Sequence, residues 1–100
     1  MNIDEIPSYK LGQAPEDLHD KNPKLYRLVV AKRALVAGYE TVEDDIEACI
    51  TDLLADLRHL CDALDLDFSA LDNRGFGHYV AEAKEMREEA KFEAEMAIVV

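Results

Sequence analysis

The chain has 100 residues, one domain's length, and a formal net charge of −11 at neutral pH. Nearly half of it, 49%, is apolar, which points to a folded chain rather than a disordered one. Phosphate-directed binding of nucleic acid needs a positive face, so charge of this sign argues against direct nucleic-acid partners and against anionic membranes. No apolar run approaches the ~20 residues of a membrane span. The first ten residues, MNIDEIPSYK, lack the basic and apolar regions of a secretory signal, so the expectation is a cytoplasmic protein.

Charge is unevenly distributed. Residues 40–72 hold eleven acidic side chains and one basic one, Arg58. Residues 21–33 hold five basic side chains and no acidic one. An acidic face of this kind suits a basic protein partner reached by electrostatic steering, or serves solubility alone.

In chain order, residues 1–21 carry Pro7, Gly12 and Pro15 with little periodicity and read as an irregular arm. Ile3, Ile6, Tyr9 and Leu11 are its candidate docking residues. A helical domain is expected over residues 22–100. Asn22 followed by Pro23 predicts a helix start, with Asn as the cap and Pro at the first helical position. Leu25, Leu28, Val29, Val30, Ala34 and Leu35 continue this first helix, and Gly38 is expected to end it.

The run TVED at 41–44 has the form of a capping box with Asp in the last place. It predicts a second helix over about 42–65. Ile46, Cys49, Ile50, Leu53, Leu54, Leu57, Leu60, Cys61 and Leu64 recur at three and four, forming one wide apolar stripe. The run DLD at 65–67 predicts a tight connection, with Asp67 or Ser69 capping a third helix over 69–95. Phe68, Phe76, Tyr79, Val80, Ala83, Met86 and Ala90 are candidates for its buried side. Gly75 and Gly77 interrupt that pattern at ~1 kcal/mol each relative to Ala, which predicts a bend or a close backbone approach. Residues 82–95 read as an exposed end stiffened by pairs such as Lys84 and Glu88. The expected architecture is therefore all-α: three helices after an irregular arm. Helices two and three form a long antiparallel hairpin, and helix one lies across it. The apolar end at 97–100 offers docking on the body or on a second copy, leaving a homodimer open.

Five constellations are candidates for chemistry. Asp45, Asp52, Asp56 and His59 fall within one narrow strip of the second helix, at about 100° per residue. Such a strip suits a partner-facing acidic surface, a solvated helix border or, through a few oxygens, Mg²⁺. His59, Cys61, His78 and Cys49 lack the short paired spacing of zinc motifs, so no metal is assigned. Cys49 and Cys61 lie on the apolar stripe, where a thiol is usually an inert core group rather than a nucleophile. At ~18 Å apart on one helix they cannot form a disulfide. Lys21, Lys24, Arg27, Lys32 and Arg33 spread around the first helix and are best suited to pair with the acidic second one. The run RGFGH at 74–78 lacks phosphate-loop spacing and reads as a helix contact.

Two resemblances add to this reading. The runs DLLAD at 52–56 and DALDLD at 62–67 resemble the third helix and following turn of the all-α MazG-type nucleotide pyrophosphohydrolases. That family carries a metal-binding Asp where Asp52 stands. It also needs a Glu three residues earlier, where this chain has Cys49, and an acidic pair on an earlier helix, which the first helix lacks. No activity carries over; the resemblance implies at most a degenerate nucleotide- or Mg²⁺-binding relative. Residues 41–85, with DLLADLRHLCDALDLDFSAL and HYVAE, are similar to small helical proteins of phages and prophages. That similarity implies a mobile-element accessory protein, and anti-CRISPR inhibitors are one such class. The expectation is a non-enzymatic binding protein without cofactor. It would present Asp44, Asp45, Asp52, Asp56 and Asp62 to a basic, nucleic-acid-binding surface of a host complex, a CRISPR surveillance complex in particular. An oligomeric structural protein is the remaining alternative.

Overall fold

A computed structural model describes residues 1–8, 18–40, 42 and 44–99. The chain is all-α, with no strand among the described residues. A single 3-10 turn at Ile3–Glu5 is followed by α1 (Leu18–Lys21), α2 (Pro23–Gly38), α3 (Ile46–Ala63) and α4 (Phe68–Val99). The chain's contacts group into two compact units, residues 1–60 and residues 61–100.

In the first unit, the stretch expected to be irregular holds two short helical pieces. Leu18 is buried at the start of α1, and the Asn22 N–H donates to the Leu18 carbonyl at 2.9 Å. The same Asn22 then starts α2, its Oδ1 accepting from the Leu25 N–H at 3.2 Å with Pro23 in the first turn. This is the start the sequence predicts. One residue thus ends one helix and caps the next, satisfying a first-turn N–H that has no intrahelical partner. The His19 ring meets Tyr26 edge-on at 5.0 Å, and the Arg27 guanidinium lies 5.6 Å from the Tyr26 centroid.

Helix α2 buries Val29, Lys32 and Leu35. Gly38 is its last helical residue rather than a left-handed cap. The helix stops because Tyr39 turns extended at φ −135°, while its N–H still bonds the Leu35 carbonyl. The second long helix starts later than the TVED run predicts. Asp45 is the residue before it, accepting from the Ala48 N–H at 3.0 Å through Oδ1, and its carbonyl accepts from the Cys49 N–H. Thr41 of that run lies outside the described residues. Val42 sits outside any helix yet is buried, packed in one cluster with Leu35 and Cys49. Ile3, Tyr39, Ile46 and Leu53 close over this cluster. The N-terminal turn therefore docks through Ile3, while Tyr9 and Leu11 lie outside the described residues.

The wide apolar stripe of α3 is only partly used. Cys49 is buried and Ile46 and Leu53 are half-buried, whereas Ile50, Leu54, Leu57 and Leu60 are exposed.

In the second unit, α3 ends in a reciprocal pair of bonds. The Leu66 N–H reaches the Cys61 carbonyl at 2.8 Å and the Asp65 N–H reaches the Asp62 carbonyl at 3.3 Å. Asp65 stands at φ 57°, the left-handed position usually given to Gly in this motif. Asp67 Oδ1 then accepts from the Ala70 N–H at 3.2 Å and caps α4, so Asp67 rather than Ser69 starts that helix. Helix α4 continues through Gly75 and Gly77. Among the described residues a Cβ at either position would meet nothing within 4 Å, so no described backbone explains these glycines. Phe76, between them, is 64% exposed, contrary to the helix contact expected of RGFGH. Lys84 and Glu88 approach to 4.0 Å on the exposed side, the pairing the sequence suggests.

Candidate acidic surface of the third helix

Asp45, Asp52 and Asp56 belong to the first unit and are exposed. On a helix turning about 100° per residue they fall within roughly 40° of one another. They border the buried seam of Ile46, Cys49 and Leu53 on one side. Each is held there for a local reason. Asp45 caps the helix, where a carboxylate also meets the positive end of the helix dipole. Asp56 accepts a 2.6 Å hydrogen bond from the Tyr39 hydroxyl through Oδ2. Asp52 lies on the turn before Asp56 and adds to the negative field at the same hydroxyl.

Tyr39 is the site residue that sequence reasoning misses. It follows the end of α2 and has no periodic relation to α3, so only the fold brings the two together. Its phenol is pushed up from 10.0 to about 12. The hydrogen bond to Asp56 is the main cause, followed by desolvation and then by the charges of Asp56 and Asp52. Removing the proton would place a phenolate against a carboxylate, which like-charge repulsion disfavours.

Asp44 is exposed in the turn before Asp45. Asp62 is exposed in the last turn of α3 and belongs to the second unit, where its backbone carbonyl serves the helix-ending turn. His59 and His78 are exposed, while Cys49 and Cys61 are buried free thiols. Among the described residues no three His, Cys, Asp or Glu side chains converge as a metal site.

The basic residues of α2 do not all turn to the acidic helix. Lys32 is buried and its Nζ donates to the Ile6 carbonyl at 2.6 Å, tying the N-terminal segment to α2. A long stem lets the amine cross apolar surface and still find an acceptor.

Among the described residues no helix is long and apolar enough to cross a membrane. The fold and this surface define a small all-α protein with an acidic helical face. No family model, curated protein or solved structure matches the chain.

Proposed function

We propose that the chain is a non-enzymatic binding protein of mobile-element origin. Its acidic face docks on a basic surface of a host complex that otherwise holds nucleic acid, as an anti-CRISPR inhibitor would on a CRISPR surveillance complex. The observation that carries this reading is the row of exposed carboxylates on α3, Asp45, Asp52 and Asp56, preceded by exposed Asp44. A rigid helix holds these charges in a line, and a line of fixed negative charge competes for cationic sites that track a phosphate backbone. Asp62 extends the set of acidic side chains proposed to meet the partner.

The direct test is capture from bacterial lysate with elution by a salt gradient, followed by measured affinity for the recovered complex. Asp44 and Asp52 are suited to charge reversal because neither side chain makes a described hydrogen bond, whereas Asp45 caps a helix and Asp56 holds Tyr39. The Asp44→Lys/Asp52→Lys variant should keep its helicity and lose roughly tenfold or more in association rate at low salt. Its remaining binding should depend less on salt. Unchanged affinity in that variant would sink the proposal.

A further inference from the structure

We infer that the apolar row of α3 formed by Ile50, Leu54 and Leu57, with Leu60 beside it, is the interface between two copies of this chain. All four are exposed, at 45%, 50%, 39% and 53% respectively, and all lie in the first unit. Their spacing of four, three and three keeps them on one side of the helix. Ile50 and Leu54 lie beyond the buried seam of Ile46, Cys49 and Leu53, whereas Leu57 and Leu60 continue the seam's direction into the exposed part of the helix.

The choice of a second copy rests on charge. Within residues 46–60 the carboxylates are Glu47, Asp52 and Asp56. At about 100° per residue, Asp52 and Asp56 lie roughly 130–170° around the helix from the centre of the apolar row. The near flank carries Glu47, Thr51 and Arg58, whose formal charges cancel. A basic partner would be matched by acidic flanks; here the flank beside Ile50 and Leu54 is neutral, and a carboxylate, Asp56, comes close only to Leu60 at the end of the row. Two chains of −11 each repel one another, so they meet most readily where net charge is least, as it is beside Ile50 and Leu54. A twofold interface places the same patch on both sides, so a neutral apolar row complements itself. The acidic row then stays outward on both copies, and the dimer displays it twice.

The test is sedimentation of the full chain over a wide concentration range, at low and high salt, with melting followed by circular dichroism. The expected result is a reversible dimer of the 11.3 kDa chain. Its melting temperature should rise with protein concentration by mass action. Added salt should strengthen the dimer by screening the repulsion between two acidic chains, the reverse of its effect on a basic partner. Leu54→Glu should give monomer at concentrations where the parent is dimeric. If that variant loses its helicity, Leu54→Ala/Leu57→Ala decides the matter, since Ala favours helix; it should raise the dissociation constant at least tenfold. Asp44→Lys/Asp52→Lys should leave the dimer in place, which separates this inference from the partner-binding proposal. A parent chain that stays monomeric throughout would overturn the inference. So would a dimer unaffected by the double Ala variant, or one that salt dissolves.

Discussion

Tyr39 and Asp56 show how a single hydrogen bond ties the end of one helix to the middle of another. The bond needs the phenol proton, and Tyr39 holds that proton up to about pH 12 rather than 10.0. Because the folded value is raised, the stabilisation is complete below pH 10 and is lost as pH rises from 10 towards 12. A near-ultraviolet titration should therefore show a late ionisation near pH 12 that belongs to Tyr39. Tyr39→Phe should remove that late phase, and Asp56→Asn should move it back towards 10. If the late phase survives in Tyr39→Phe, the assignment to this contact is wrong. Nothing local in the sequence announces the pair, since seventeen positions separate its members. By contrast, the Asn22 cap is legible at once. Its acceptor serves an N–H three residues on, and so short a contact depends on residue type and spacing alone.

At the scale of elements, helix existence is legible and helix ends are less so. The α3 periodicity is plain in the sequence, yet its first residue is decided by competition between two candidate caps. Asp45 wins because Val42 leaves the helix to fill the cluster with Leu35 and Cys49, so the chain enters α3 four residues later than TVED suggests. Asp45→Ala should cost about 1 kcal/mol in denaturant unfolding, within the usual range for a lost cap. Asp44→Ala, with no described capping bond, should cost much less. In α4, Gly75 and Gly77 stand in a helix with open space where their Cβ atoms would be. Gly75→Ala and Gly77→Ala should each stabilise by ~1 kcal/mol, through lower backbone entropy in the unfolded chain and better helix propensity. Destabilisation by either variant would reveal a close neighbour at that face.

At the scale of the whole molecule, the tightest packing lies in the first unit. Leu35, Val42 and Cys49 form its cluster, with Ile3 arriving from the N-terminal turn and Lys32 fixing that segment through the Ile6 carbonyl. Truncation there removes apolar contact that several segments share. Leu35→Ala should therefore lower unfolding free energy by about 2–5 kcal/mol. Val36→Ala, one residue along and 55% exposed, should change it little. Equal effects from the two, read by urea unfolding with matched m-values, would contradict this account of the core.

Composition and periodicity by themselves determined an all-α chain, its three long helices, the Asn22 start, the reduced thiols and the acidic side of α3; the start of α4 they narrowed to Asp67 or Ser69. All of these follow from interactions within a few residues or from a repeat of 3.6, which a linear sequence displays directly. The tertiary structure decided which part of the α3 stripe is buried. It also decided that Val42 and Ile3 join the core, that Lys32 turns inward and that Tyr39 meets Asp56. These outcomes depend on which surfaces come together after the chain folds back on itself. Residues such as Ile50 and Cys49 are equally apolar members of one stripe until a neighbour covers one and leaves the other facing water.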